Sequence, residues 1–560
     1  MSISATAAST TTTTATTTTL FVWCIAESDE AGTATFAYVL ARWAMSQPRV
    51  SFRSLWAAWL ACRRRKRGTR DCLRYNGRLL DRLAAAQTAL NACTWRPSRT
   101  RVFVTTKPKA REIHAPVFAD RVVHHWLVPQ LEVLYEPVFI HDSYANRQGK
   151  GTHRAVARLQ TFMRQATCNG QKRAYALQLD IANYFNTIDR RRLFAMISHC
   201  LDQSSRRHPA EEERYRHLAR ITRSLLTGNP AQGAYRLGHP SRFDRVPPHK
   251  RLINAAPECG LAIGNLSSQF FANVYLNELD QFVKHTLKCR WYLRYVDDFV
   301  LVDPDPERLL AWRDAIEEFL RERLGLSLRP PVGMPWAVSR GVDFLGYVVR
   351  PNYLLARQRV MDAADQCLAK WESTLVGDHG LCLDPAQSKA LQSSLGSYLG
   401  HFRHASGFRM TARLWERHRW LDALFPLSCP GISSRIEPPM ATSLASQHSW
   451  FSSRFPGAVV WLQVGMSWEC YGGDATEMAR RYRLTFERES RPSLGHAVSI
   501  PAQAWKRWQK VLARDGVSAV GAEQVGRARG HRHGLRRRTL SYVSPGALSA
   551  LSEIRAEQVT

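Results

Sequence analysis

The chain has 560 residues, 45% of them hydrophobic, which is enough for several domains of roughly 150 residues each. Its 78 Lys and Arg against 47 Asp and Glu leave a formal net charge of +31, the electrostatic footprint of a nucleic-acid binder. The 12 cysteines contain no Cys-x-x-Cys pair, which argues against a zinc site or a disulfide framework and fits a reducing cytoplasm. No apolar run reaches the roughly 20 residues of a membrane span.

Residues 1–45 carry a low-complexity Thr/Ala run and read as disordered, with no signal peptide, because the apolar stretch Leu20 to Ile25 is short and stopped by Glu27. Residues 50–95 read as basic amphipathic helix with Leu55, Trp56, Trp59 and Leu60 on one face. Arg101 to Thr105 alternates as a strand does, Lys107-Pro108-Lys109-Ala110-Arg111 makes a basic turn, and a helix is expected over about 120–135. Residues 174–180 (AYALQLD) predict a short buried strand ending in a carboxylate. Residues 203–255, charged and rich in Pro and His, read as an insertion. Trp291–Tyr295 and Phe299–Val302 predict a hairpin around Val296-Asp297-Asp298. Residues 351–425 read as helical, a Pro/Ser/Gly-rich linker at 426–448 marks a boundary, and 449–550 read as a separate α/β unit.

If the strand ending at Asp180 lies beside the hairpin, Asp180, Asp297 and Asp298 converge. Hard oxygen ligands brought together from separate elements suit magnesium, and a pair of such ions serves nucleotidyl transfer. An Asp pair in a turn is on its own more commonly a solvated turn. Here Tyr295-Val296-Asp297-Asp298, flanked by apolar residues, resembles the signature hairpin of reverse transcriptases, and Leu179-Asp180-Ile181-Ala182-Asn183-Tyr184-Phe185 resembles their first palm motif. The resemblance implies a right-hand polymerase of the α+β class. Its fingers and palm would occupy 46–350 around an antiparallel palm sheet, and its helical thumb 351–425.

It further implies that Asp180, Asp297, Asp298 and the backbone of Ile181 hold two Mg2+ ions, with Mn2+ a substitute. Lys109 and Arg111 would grip the dNTP phosphates, Arg through its fork. Phe185 would be a steric gate beneath the sugar, although core packing also explains it. Lys150 would belong to a flexible basic loop near template or nucleotide, and Tyr295 would lie near the primer end. Phe344, Leu345 and Gly346 would form a primer grip. Where the family often carries a Lys able to protonate pyrophosphate, this sequence offers Arg329, a poor general acid.

Ile263-Gly264 and Ser268-Gln269 stand where most bacterial relatives carry Gln-Gly and Ser-Pro. That version is similar to the reverse transcriptases of diversity-generating retroelements, which copy a template RNA with errors concentrated at adenines. Gly264 would let backbone approach the templating base, Ser268 would begin the following helix, and Gln269 would loosen the pocket that checks base-pair shape.

Residues 459–475, 495–501, 520–526 and 536–546 resemble the mismatch-recognition domain of MutS. Glu469 matches its base-contacting Glu, but Ser467 stands where a wedging Phe would be, so intercalation is not expected. Duplex binding through Arg527–Arg538, with Arg536, Arg537 and Arg538 at its end, and docking of a partner protein are both open. The function implied is RNA-directed DNA polymerase, error-prone within a retroelement. The alternatives are a phage-defence reverse transcriptase or a non-catalytic RNA-binding scaffold. Expected partners are template RNA, cDNA primer or product, dNTPs and a small basic accessory protein, with no membrane and a bacterial cytoplasmic, nucleoid-associated setting.

Overall fold

The computed structural model describes residues 50–106, 109–425, 443–491, 493–527 and 536–559, with short pieces at 427–428, 431–432 and 436–438. The expected disorder of 1–45, the Lys107-Pro108 part of the basic turn and residues 528–535 of the basic stretch lie outside these. No described helix is long and apolar enough to cross a membrane. The chain divides into two compact units, one comprising residues up to 150, 179–299 and 310–333, the other 151–178, 300–309 and 334–560.

The first unit opens with three helices, Phe52–Cys62, Arg70–Asn76 and Leu79–Asn91, where one basic helix was expected. Leu55 and Trp59 are buried, but Trp56 and Leu60 face solvent, so the apolar stripe runs through Leu55, Ala58, Trp59 and Cys62 instead. That is the i, i+3, i+4, i+7 spacing of a helix face.

Strands β1 (Arg101–Thr105) and β2 (Arg111–Ala115) pair antiparallel, with Val102 and Val104 inward. The predicted 203–255 insertion resolves into two parts. Its first half completes the helices Arg190–Arg207 and Glu212–Thr227, which pack together, and buried His217 hydrogen-bonds the Leu90 carbonyl at 2.7 Å. The rest is a compact chain of short turns. In it β4 (Tyr235–Arg236) runs parallel to β1, making a third strand beside the β1–β2 hairpin.

Three further strands carry the site: β3 (Tyr175–Asp180), β5 (Trp291–Tyr295) and β6 (Asp298–Asp303), with β6 lying between β5 and β3. Their cores (Leu177, Leu179, Tyr292, Leu293, Phe299, Leu301) are fully or almost fully buried. The near-continuous apolar run of β6 fits a strand covered on both faces.

In the second unit β7 (Trp336–Ala337) pairs with the start of β3. Strands β8 (Val342–Phe344), β9 (Tyr347–Val349) and β10 (Leu354–Ala356) form an antiparallel meander. Helices Gln358–Leu375, Pro385–Phe402 and Phe408–Arg417 follow. Between the first two lies an unforeseen hairpin, β11 (Val376–Gly377) and β12 (Gly380–Cys382). It extends a mixed sheet built from β13 (Val459–Val464), β14 (Ser467–Tyr471), β15 (Phe486–Arg491), β16 (Gly495–Pro501), β17 (Ala519–Arg527) and β18 (Arg536–Val543). The order is β11-β12-β18-β17-β13-β14-β16-β15, with Leu381 opposite Val543.

One apolar cluster joins Leu368, Leu391 and Trp415 of the helices, through Phe425 and through Phe451 of the helix Leu444–Arg454, to Val460, Leu462 and Val543 of this sheet. The expected separation at 426–448 is therefore one of composition. Hydrophobic burial runs straight across it.

Candidate active site

β3 ends at Asp180, and the next residue donates its backbone N–H to the Asp297 carbonyl at 3.3 Å. Ile181 also bridges Leu328, and Arg329 N–H donates to the Asp180 carbonyl at 2.8 Å. Backbone bonds thus place the strand end, the β5–β6 turn and the 326–329 segment side by side. The turn itself is tight: Val296 adopts φ +58°, a conformation costly for a β-branched residue unless its surroundings impose it.

They do. Arg294 is fully buried and donates to the Val296 carbonyl at 2.9 Å, to both oxygens of buried Asp280 at 2.8 and 2.6 Å, and to Ser143 Oγ at 3.2 Å. Tyr292 OH donates to the same carboxylate at 2.7 Å. Sequence reading missed Arg294 and Asp280. An Arg one residue before the signature hairpin's Tyr, inside an otherwise apolar strand, was the available signal, since a charge there must be paired.

The electrostatics are those of a cation site. Burial and the neighbouring Asp180 charge push the Asp297 carboxyl up to about 6. Burial also raises Asp180, opposed by the Arg329 guanidinium paired with its Oδ2 and by Lys109. Asp180 Oδ1 is buried with no hydrogen-bond partner, and buried polar atoms rarely stay unpartnered. Two convergent carboxylates, one with a spare oxygen, fit a hard divalent ion that takes its remaining ligands from water and substrate phosphate. Among the described residues no three His, Cys, Asp or Glu side chains close a complete protein cage. Asp298, half-buried, starts β6.

The residues expected to hold the nucleotide take varied positions. Lys109 and Arg111 are exposed on the β1–β2 hairpin, and their charges reach Asp180 and Asp297 respectively. Phe185 is half-buried in the turn Tyr184–Thr187, and its carbonyl accepts from Leu261 N–H at 2.7 Å. Gly264 is exposed with φ +113°, where a Cβ would lie 2.9 Å from Ile113 Cγ2, so only glycine fits. Gln269 is exposed one turn into the helix Leu266–Gln281. Ser268 does not begin that helix. Asn265 occupies the N-cap position, while Ser268 is buried inside the first turn and its neighbour Ser267 hydrogen-bonds His124 at 3.0 Å.

Lys150 is held rather than loose, its Nζ 2.8 Å from the His141 carbonyl and 5.0 Å above the Tyr144 ring. Tyr295 ends β5 half-buried. In the second unit, Leu345 and Gly346 form the left-handed turn of the β8–β9 hairpin, but Phe344 is fully buried and serves the core.

Residues 105–349 match the reverse transcriptase (RNA-dependent DNA polymerase) family, and 442–552 match MutS domain I. The chain carries a reverse transcriptase domain. Reverse transcriptase domains are RNA-directed DNA polymerases by class and generally work with divalent metal ions.

Protein YkfC of Escherichia coli K12 is 24% identical over 307 residues, covering 48% of this chain and 71% of that protein. Among solved structures, two of the apo telomerase of Candida tropicalis, the first truncated of its C-terminal domain, align at 11% and 12% identity with a TM-score of 0.35 each. They cover 46% and 58% of this chain, and this chain spans 55% and 61% of theirs.

The MutS-like domain departs from expectation. Glu469, read as a base contact, is buried and accepts from Tyr471 OH at 2.6 Å. Arg538 is buried and donates to the Gln463 and Arg536 carbonyls. Arg537 pairs with Glu437 at 3.1 Å, and Arg536 alone of the three is exposed. Trp468 faces the core, stacked on Trp505 at 4.1 Å.

Proposed function

We propose that this chain copies an RNA template into cDNA at a two-magnesium site, with errors concentrated at template adenines, as the polymerase of a diversity-generating retroelement. The observation that carries the polymerase reading is the backbone bond from Ile181 to the Asp297 carbonyl, which brings the two acid-bearing elements together. Asp180, Asp297 and Asp298, with the Ile181 carbonyl, would hold the ions. Bound there, the ions lower the pKa of the primer 3′-hydroxyl and neutralise the triphosphate.

Lys109 and Arg111 orient the phosphates over the carboxylates. Phe185 lies beneath the sugar, and Gly264 lets the 261–265 loop approach the templating base. The error-prone reading rests on Gln269, an exposed, flexible side chain where most bacterial relatives have a rigid proline. It is supported by that difference and by resemblance alone. Template RNA, cDNA, dNTPs and a small basic accessory protein are the partners this reading requires.

Primer extension on poly(rA)/oligo(dT) with Mg2+ tests the polymerase, with Asp297→Ala as the control. Sequencing cDNA made from a defined RNA tests the error spectrum. Substitutions clustered at adenines support the retroelement assignment, and an even spread over the four bases removes it.

A further inference from the structure

The turns that close the 228–255 segment touch three separate parts of the nucleotide site. On the palm side, Asn183 holds a left-handed conformation (φ +49°) two residues before Phe185, and its side-chain amide donates to the His249 carbonyl at 2.6 Å. On the fingers side, Leu252 N–H donates at 3.1 Å to buried Glu112, the residue after Arg111. At the loop, the Leu252 side chain lies under Gly260, where a Cβ would come within 2.5 Å of Leu252 Cδ1. Gly260 N–H bonds the Ile188 carbonyl, and Leu261 bonds Phe185.

The segment is internally braced. Arg251 donates to the Val246 and Phe243 carbonyls at 2.9 and 2.8 Å, and Asn254 to Pro248 at 2.9 Å. Phe243 and Val246 pack on Val102 and Val104 of β1. A two-stranded ribbon is marginal in water by itself. The 228–255 segment gives the fingers hairpin a third strand and an apolar cover.

We infer that the turn 246–255 is a specificity-determining strap. Through Leu252 and the His249 carbonyl it fixes the distance between the phosphate-gripping hairpin and the Phe185 ring, and so sets discrimination against the ribose 2′-hydroxyl. Leu252 and Asn183 act as positioning residues, since neither touches the nucleotide. The inference rests on the polymerase reading. Its physical basis is that a gate rejects one extra hydroxyl only while the pocket around it cannot widen. Pocket contacts of this size govern discrimination of about 10–200-fold.

Single-nucleotide extension by the full chain, comparing dNTP with the matching rNTP, tests it with Leu252→Ala, Leu252→Met and Asn183→Gly. The last keeps the left-handed backbone while deleting the amide, and because Asn183 is half-buried and accepts from Asn186 at 3.2 Å, the melting temperature of each variant is measured alongside. Leu252→Ala and Asn183→Gly should each raise KM for dNTP about tenfold with kcat changed less than about threefold, and lower the deoxy-to-ribo efficiency ratio about fivefold or more. Leu252→Met should restore both to within about twofold. Unchanged KM and ratio in both disruptive variants, or a fall in kcat alone, overturns the strap while leaving the polymerase standing. Absence of extension by the unmutated protein overturns the polymerase reading and the strap with it.

Discussion

Arg294 and Asp280 form an ion pair with no solvent exposure on either side chain, Nη2 to Oδ2 at 2.6 Å, and the same guanidinium holds the Val296 carbonyl of the acid-bearing turn at 2.9 Å. Asp280 lies in the helix that follows the 261–265 loop, so one buried charge pair links that helix to the acid-bearing turn. Such a pair is a poor source of stability, because desolvating two charges offsets most of their attraction. Its value here is geometric, in keeping a β-branched residue in a left-handed turn.

Breaking half of this pair should therefore be severe. Arg294→Met leaves the Asp280 carboxylate buried with the Tyr292 hydroxyl still donating to it and should cost about 3–5 kcal/mol in urea unfolding. Adding Asp280→Leu should recover a good part of that loss. Extension by the double variant should stay about tenfold slow, because nothing then holds the Val296 carbonyl. A double variant with full stability and full rate would show the pair to be merely structural.

Asp297 predicts a trade between stability and activity. Its carboxyl is raised to about 6 by burial and by Asp180, so the unfolded chain gives up this proton more readily than the folded one. In metal-free buffer, stability from this group is greatest at acid pH and falls as pH rises from about 4 to about 6. Asp297→Asn removes the charge and should raise metal-free stability by about 2 kcal/mol at pH 7.5, seen as a higher melting temperature in EDTA. The same variant should extend no primer. A lower melting temperature in EDTA would show that the carboxylate is satisfied without a cation.

The Arg329 guanidinium pairs with Asp180, and its backbone N–H is anchored to the Asp180 carbonyl. A divalent ion held by Asp180, as proposed, would have to displace that guanidinium. Arg329→Gln should lower the Mg2+ concentration for half-maximal activity a few-fold, and direct Mn2+ titration should show tighter binding by about the same factor. Weaker Mn2+ binding in the variant would reverse the assignment.

The parts of this site that were legible in the sequence are those carried by neighbours in the chain. The strand ending at Asp180, the hairpin around Asp297 and the alternating β1 each declare themselves through local periodicity. What stayed hidden depends on distant partners. Leu252 meets Glu112, and Leu381 meets Val543, across separations that no local pattern records. The Pro/Ser/Gly composition of 426–448 signals irregular chain correctly but says nothing about the apolar cluster that joins Trp415 to Val460. Phe344 was singled out by its place in a resembling hairpin, and that resemblance does not reveal which face of a three-residue strand is covered.

His124 should make the protein acid-sensitive over a defined range. It is buried beneath the first turn of the helix Leu266–Gln281, bonded to Ser267, and burial pushes its imidazole from 6.5 down to about 4. The unfolded chain therefore takes up this proton first. Stability is complete above about 6.5 and lost progressively as pH falls toward 4, by up to about 3 kcal/mol. Urea midpoints at pH 7 and pH 5 measure the loss, and His124→Gln should shrink the difference. An equal difference in the variant would assign the acid sensitivity elsewhere.

The MutS-like domain should bind without sensing mismatches. Wedging into a base step needs an exposed aromatic, and reading the base needs an exposed acceptor. Ser467 cannot stack, Trp468 is locked against Trp505, and the Glu469 carboxylate is buried against Tyr471 OH. Competition gel shifts with the full chain should give equal affinity for matched and G·T-containing duplexes, within about twofold, since the stacking worth roughly 1–3 kcal/mol is missing. Trp468→Ala should instead cost stability, about 3–5 kcal/mol as for other buried aromatics, and Glu469→Ala should leave duplex affinity unchanged. A mismatch preference of about tenfold or more, abolished by Glu469→Ala, would mean that β14 opens on DNA and presents these side chains after all.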